Sequence, residues 1–323
     1  MDIKNPVKKQ PLVSIGIPTY NHLRTLQQTV ESALKQDYQP LEIVISDNAS
    51  DDGTEEFCRK TAQENQTVKY FRQPHNQGPL ENFRQVLNRA SGYFFMWLAD
   101  DDWLELNYIS ECVHFLQANA DYALACGKTF EYYEKTGALN LKKPTDLFQA
   151  DGRERVLDYY REVEHNSVFY GVVRRETAMQ IQLHPLLAGD WLAVAAIAFS
   201  GKIRTLPNTC LYRRWRNDSI SSSKDRLTKT LKLSRLHIPY FYTSASLNVF
   251  NDILFFAPQY RSLRFPRRVG LAFRAFTVIC KKHDVKGEIK RSPVIRLPYR
   301  LLKKLFLKSL CVFKSGRRVT ETR

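Results

Sequence analysis

The chain has 323 residues, enough for one large domain with an appendage or for two domains. Its composition, 43% hydrophobic and 12% aromatic, provides for a packed core and excludes a low-complexity or disordered chain. The net charge of +16 is unevenly divided: residues 1–201 carry 20 Lys and Arg against 27 Asp and Glu, residues 202–323 carry 29 against 6. The basic part needs something anionic to meet, which means phosphates, acidic lipid headgroups or nucleic acid. The six Cys are scattered without a C-x-x-C pair, as ordinary thiols of a reducing compartment are. Residues 1–10 are polar and show no apolar signal-peptide region, and no run of eighteen uncharged apolar residues suggests a spanning helix.

In chain order, Leu12–Ile17 is a short apolar run, a buried strand that Pro18-Thr19-Tyr20-Asn21 ends. Leu23, Leu26, Val30, Ala33 and Leu34 keep a helical period. Leu41–Ser46 is a second strand, closed by the polar turn Asp47–Thr54 with its helix-start signal, and a helix follows to about Glu64. Val68–Phe71 is a third strand, Asn76–Pro79 a turn, and Phe83, Val86, Leu87 and Ala90 mark another helix. Strands alternating with helices predict an α/β fold with a doubly wound, mostly parallel sheet. The first strand is not followed by G-x-G-x-x-G, which disfavours a dinucleotide fold.

The next strand, Tyr93–Leu98, is apolar throughout, as a strand covered on both faces is, and ends in Asp100-Asp101-Asp102. Three adjacent carboxylates at a buried strand end repel one another, and a hard divalent cation would remove that cost. The competing reading is an acidic loop with Asp102 capping the next helix. That helix is expected over about Leu106–Ala118, followed by a strand at Tyr122–Cys126, a helix at Asp151–Tyr160 and a strand at Ser167–Val173. Gly189–Ser200 is nearly all apolar and helix-forming with one carboxylate, Asp190, at its start. Thr209–Arg216 reads as a strand with a basic end, and from Ser223 the chain turns helical and basic.

Taken together, these segments resemble the inverting family-2 glycosyltransferases with the glycosyltransferase A fold. The resemblance rests on Ser14–Asn21, Ile43–Thr54, Asn76-x-Gly78 with Asn82, Trp97–Trp103, Gly189-Asp190-Trp191, and Tyr212–Trp215 with Ser219-Ile220-Ser221, six motifs in order over residues 11–223. Two positions depart from the family pattern: Ala99 where an Asp is common, and Gly189 where many members have Glu. Trp215 also stands where the closing loop often has a His, and an indole cannot ligate a metal. The fold implied is one nucleotide-binding, mixed but mostly parallel sheet over residues 1–222. Residues 223–323 form a basic, mainly helical extension.

The resemblance implies a nucleotide-diphosphate sugar as donor, of the UDP class, and a hydroxyl of a glycan or lipid-linked acceptor. Pro18, Thr19, Tyr20, Asn21, Asp47, Asn76, Asn82, Asp100 and Asp101 would bind the donor nucleotide. Asp47 would accept from a pyrimidine N3–H; it reads equally as an Asx turn or cap, and Tyr20 as a core aromatic. A Mg²⁺ or Mn²⁺ cofactor falls to Asp100, Asp101 and Asp102, as the pair Asp100/Asp102 or Asp101/Asp102. Arg213, Arg214 and Arg216 would hold the diphosphate, against the reading of a solvated strand end. Asp190 would be the general base, against that of an N-cap.

Arg296, Arg300, Lys303, Lys304 and Lys308 fall on one helical face, and Leu301, Leu302, Leu305, Phe306, Leu310 and Phe313 on the other. Such a helix suits a membrane surface, and the expectation is an enzyme held peripherally on the cytoplasmic face of a membrane. Packing of that helix on the catalytic domain is the alternative. A nucleic-acid-binding protein fits the charge but lacks a binding motif, and a sugar nucleotidyltransferase would need a Gly-rich basic loop where Pro18–His22 stands.

Overall fold

The computed structural model describes residues 10–215, 241–283 and Val285. The elements begin β1 (Val13–Thr19), α1 (Leu23–Leu34), β2 (Leu41–Asp47), α2 (Thr54–Glu64), β3 (Val68–Arg72), α3 (Pro79–Arg89) and β4 (Phe94–Trp97). They continue with β5 (Trp103–Leu104), α4 (Tyr108–Ala118), β6 (Tyr122–Tyr133), β7 (Ala138–Leu141), α5 (Gly152–Glu162), β8 (Val172–Arg174) and α6 (Arg175–Met179). The last are α7 (Gly189–Ser200), β9 (Lys202–Trp215), α8 (Phe241–Asn251) and α9 (Phe265–Lys282).

One sheet runs in the order β3-β2-β1-β4-β8-β6-β9-β5, with β7 paired to β6. The long ladders β1–β2, β2–β3, β1–β4 and β6–β9 are parallel, and the short ones through β5, β7 and β8 are antiparallel. The fold is therefore the expected α/β type with a mixed, mostly parallel sheet. Strand order reverses between β1 and β4, and in an open α/β sheet a ligand crevice lies beyond the strand ends at such a reversal. Both Pro18–Asn21 and the triple Asp leave the sheet at that point.

Strand β4 has no solvent face. Phe95 and Trp97 enter one core with α3, α7 and the C-terminal helices, while Phe94 and Met96 enter the other with α1 and α4. Gly16 lets β1 lie close under that packing, since a Cβ there would sit 2.9 Å from both Phe95 and Val86. Trp97 stacks on Phe169 at 4.8 Å and 10°, and its Nε1 donates to Phe83 O at 3.0 Å.

Three sequence expectations shift. The run Ser167–Val173 is not one strand: Ser167–Tyr170 is a 3-10 turn, and only Val172–Arg174 pairs. Its apolarity serves the core through Phe169 rather than a ladder. Asp102 does not cap a helix, because α4 begins at Tyr108 with Asn107 in the cap position. And the core crosses residue 222: Val249, Ile253, Leu271, Ala275 and Ile279 pack in one cluster with Trp97, Val156 and Leu192. The amphipathic segment 294–323 and the span 216–240 lie outside the described residues.

Helix α7 is fixed at its far end by a buried cation. Arg155, on α5, donates through Nε to Ala198 O (2.6 Å), through Nη2 to Phe199 O (3.0 Å), and through Nη1 to Gln149 O (2.6 Å) and Ala150 O (3.0 Å). Two of these are last-turn carbonyls that the helix itself cannot satisfy, at the end of the dipole that favours a cation. Arg155→Met should orphan several buried acceptors and cost at least about 3 kcal/mol, read as a lowered urea-unfolding midpoint with unchanged m. A midpoint within experimental error of wild type would remove this role.

Candidate active site

The loop after β1 is stapled to the loop after β2. Asn21 takes φ 53°, a left-handed conformation that Asn tolerates. Its N–H donates to Ser50 Oγ (2.9 Å), its Nδ2 to Asp51 Oδ1 (2.7 Å), and its Oδ1 accepts from Asp51 N (2.9 Å). Pro18 and Thr19 are buried while Tyr20 is 42% exposed at the mouth of the crevice. Asn82 Nδ2 donates to Thr19 O at 3.0 Å, and Asn82 Oδ1 and Thr19 Oγ1 are buried with no hydrogen-bond partner among the described residues. Asn76 is a loop former: its Oδ1 accepts from Asn48 Nδ2 and Gly78 N, each at 2.8 Å.

Asp47 is placed differently from a base-reading carboxylate. It has no exposed surface; Oδ1 accepts from Ser50 N (2.9 Å) and Ser50 Oγ (2.5 Å), Oδ2 from Tyr70 OH (2.8 Å) and Arg72 Nη1 (2.7 Å). All four lone-pair positions are filled. In this arrangement Asp47 holds the floor of the crevice together and offers no open acceptor to a base.

Asp100 and Asp102 turn to different partners. A tight turn, Asp102 N to Ala99 O at 3.1 Å, follows β4. Asp100 accepts from Tyr20 N at 3.4 Å and lies 3.0 Å from His22 Nδ1. Asp101 is half-buried. Asp102, 1% exposed, accepts from Arg213 Nε (3.2 Å) and from Arg214 N (3.1 Å). Burial pushes its carboxyl up, against the pull of the Arg213 charge. His22 carries no spacing signal and goes unmarked in the sequence; only the fold brings it to Asp100. Among the described residues no group of three or more His, Cys, Asp and Glu side chains forms a closed metal cage. An ion of the Mg²⁺ type needs no such cage, being held by one or two carboxylates and completed by substrate phosphates.

Beside the triplet lies a cavity of about 480 Å³ lined by Phe83, Phe169, Tyr170, Trp191, Arg213 and Asp190, among others. Asp190 stands in the first turn of α7, not at its cap, which is Ala188 with φ 62°. The N-cap reading therefore fails, while the helix N-terminus still favours a carboxylate there. Gly189 explains its own departure from Glu: a Cβ on it would lie 2.6 Å from His184 O. Protein crowded around the cavity raises the Asp190 carboxyl above its ordinary range, while Asn166, the Trp191 N–H and Arg213 pull it down. Asp190 is itself exposed toward the cavity. Asn166, which the sequence did not mark, is held by Tyr159 OH at 2.7 Å.

Of the three basic candidates, Arg213 is in the site. Its Nε is on Asp102, its Cζ lies 5.0 Å from the Tyr170 ring centroid, and it lines the cavity that Asp190 opens onto. The Arg214 side chain points away, to Gln28 (2.6 Å) and Glu134 (3.2 Å), so that only its main-chain N–H reaches Asp102. Arg216 lies outside the described residues. The C-terminal helices also contribute: Phe241 lines the cavity, and His283 stacks between Trp191 (6.0 Å, 26°) and Tyr242 (3.8 Å, 6°).

A doubly wound sheet with an acidic turn at its reversal point and a carboxylate across the crevice defines a glycosyltransferase A type of fold. The crystal structure of S. aureus TarS 1–349 in complex with UDP-GlcNAc shares it, with a TM-score of 0.63 at 18% identity over 88% of this chain and 77% of that one. The model of glycosyl transferase family 2 matches residues 14–181, just over half of the chain, and the chain belongs to that family. A Campylobacter jejuni GalNAc(5)-diNAcBac-PP-undecaprenol beta-1,3-glucosyltransferase is 34% identical over 149 residues, 44% of this chain and 47% of that protein. Pasteurella multocida hyaluronan synthase is 36% identical over 121 residues, 37% of this chain and 12% of that protein. The match thus spans less than half the length of either relative.

Below the cavity, Asp252 is 2% exposed, and burial pushes its carboxyl up to about 7. His184, 3.7 Å away, is itself lowered by burial. A folded-state value above the unfolded one makes Asp252 contribute stability below about pH 4 that is lost as pH rises through 7. The melting temperature of Asp252→Asn should therefore gain on wild type between pH 5 and pH 8. Parallel pH profiles would show that Asp252 ionises without cost.

Proposed function

We propose that this chain is an inverting glycosyltransferase that moves a sugar from a nucleoside-diphosphate donor, of the UDP class, to a hydroxyl of a glycan or lipid-linked acceptor. The observation that carries the reading is Arg213: one cation touches the carboxylate end of β4 and lines the cavity that Asp190 opens onto. The leaving diphosphate and the attacking hydroxyl then sit on the two sides of one guanidinium.

The donor nucleoside lies over Pro18, Thr19, Tyr20 and Asn21, with the orphaned oxygens of Thr19 and Asn82 as its nearest unspent acceptors. Asp47 and Asn76 shape that floor. Asp100, Asp101 and Asp102 would hold Mg²⁺ or Mn²⁺, which when bound would offset the charge gathering on the diphosphate. Arg213 adds donors there, and Arg216 is the further basic candidate in the sequence. The acceptor enters the aromatic-lined cavity with its hydroxyl toward Asp190. As the acceptor oxygen attacks C1 from the side opposite the diphosphate, Asp190 takes the hydroxyl proton, the C1–diphosphate bond breaks and the anomeric centre inverts. The helix N-terminus favours the anionic form of Asp190.

The undecaprenol-linked substrate in the name of the Campylobacter jejuni relative supports a lipid-linked acceptor. The UDP-GlcNAc in the S. aureus TarS structure supports a UDP donor. Residues 1–222 are the catalytic domain, α8 brings Phe241 to the acceptor side, and the basic amphipathic sequence 294–323 would keep the enzyme peripheral on the cytoplasmic face of a membrane. Among the described residues no helix is long and apolar enough to cross a membrane.

Asp190→Asn keeps the shape and removes the basicity. Its turnover should fall about 10²–10⁴-fold with donor affinity little changed. Activity within about threefold of wild type, well short of that range, would assign the base elsewhere. For the donor side, Asp100→Asn, Asp101→Asn and Asp102→Asn are compared by calorimetry of Mn²⁺-dependent UDP binding. At least one should weaken it tenfold or more, about 1.4 kcal/mol. Three unchanged affinities would sink the metal assignment.

A further inference from the structure

From Ile253 to His283 the chain has seven Arg and Lys and no Asp or Glu. The first part of this stretch is a π turn (Asp252–Phe256), a 3-10 turn (Pro258–Ser262) and the start of α9. It presents three large rings to solvent: Phe255 is 60% exposed, Phe256 46% and Phe265 58%. Isolated exposed apolar residues need no explanation, but three within eleven positions, with cations set among them, do.

Arg261, Arg264 and Arg267 are exposed, and Arg268 lies with its Cζ 5.5 Å from the centroid of the Phe265 ring. Further along the helix Arg274 is paired with Glu154 at 2.9 Å, whereas these four have no ion pair among the described residues. Beside them a depression of about 270 Å³ between Arg153, Arg267 and Arg274 is large enough for a phosphate headgroup. The patch also adjoins the site. Phe256 lies 5.7 Å, ring to ring, from His184, which lines the cavity that Asp190 opens onto.

We infer that the junction of α8 and α9 is a membrane-docking surface, with Phe255, Phe256 and Phe265 entering the headgroup boundary of an anionic leaflet and Arg261, Arg264, Arg267 and Arg268 on its phosphates. Rings without a polar handle are stabilised by the acyl boundary, and unpaired cations around them by anionic headgroups. Charge complementarity selects the anionic leaflet over a neutral one. Contact at this place sets the cavity mouth next to the lipid surface. The inference does not rest on the sugar-transfer reading, because vesicle binding is scored without substrate.

The test is flotation of the full chain with vesicles of phosphatidylglycerol and phosphatidylcholine, and of phosphatidylcholine alone. To separate this patch from residues 294–323, the background carries Arg296→Gln, Arg300→Gln, Lys303→Gln, Lys304→Gln and Lys308→Gln. That protein should still float with anionic vesicles. Adding Phe255→Ser, Phe256→Ser and Phe265→Ser, or instead Arg261→Gln, Arg264→Gln and Arg267→Gln, should lower vesicle affinity at least tenfold. The residues replaced in the patch are all exposed, and unchanged thermal melts would show that the fold is intact. Loss of flotation in the background alone, undiminished flotation of both patch variants, or equal binding to neutral vesicles would each overturn the inference. So would retention on a single-stranded oligonucleotide without vesicle binding, which would make the patch a nucleic-acid surface.

Discussion

A carboxylate that is 1% exposed needs a cation, and Asp102 finds it in Arg213, on a strand 111 positions further along the chain. Much of the site's geometry depends on that one contact. It draws the end of β9 up to the end of β4, and with it the ring of Tyr170 under the guanidinium. The main chain adds a second tie, since Arg214 N donates to the other oxygen of Asp102. Between these ties, β5 is only two residues long and pairs Trp103 with Tyr212 and Leu104 with Leu211. Ion pair, main-chain bond and two-residue ladder together close the sheet around the crevice. A buried ion pair is weak evidence for stability but good evidence for a fixed register.

What the sequence makes legible follows from which signals are local. Strand β4 is readable because burial on both faces leaves an unbroken apolar run, and the strands β1 and β2 because Val13, Ile15, Ile17 and Ile43–Ile45 dominate them despite the buried polar Ser14 and Glu42. The helix start at Thr54 announces itself through the polar turn before it. Strands β5 and β8 have no such signal, because two or three residues become a strand only through their partners. The run Ser167–Val173 misleads in the opposite sense: Val168 and Phe169 are apolar because they face a core, and a 3-10 turn serves that as well as a strand. His22 and Asn166 are invisible because their meaning lies in neighbours 78 and 24 positions away along the chain, Asp100 and Asp190. Asp47 is legible as a polar strand end, but only the fold shows that Ser50, Tyr70 and Arg72 already occupy it.

The change in charge near residue 202 suggests a boundary, yet the packing does not stop there. Helices α8 and α9 complete the apolar core that α5 and α7 begin, and Phe241 with the Trp191–His283–Tyr242 stack closes the cavity from the C-terminal side. Composition reports what the outer surface meets and says little about what the inner surface covers. A segment can be basic toward solvent and still supply part of the core.

The turn before α7 has a practical meaning for exchange between family members. His184 O stands where any Cβ at position 189 would go, and Ala188 holds a left-handed conformation directly before it. The residue preceding Asp190 is therefore not an independent variable but one part of a unit with Gln180–Ala188. A graft that brings in a Glu at 189 without its own upstream loop inherits a collision, whereas a cassette from 180 to 200 carries loop, helix start and carboxylate together. In a chimera, the sensible seams are the exposed ends of that cassette, and homologous members of the family should differ across it in blocks rather than at single positions.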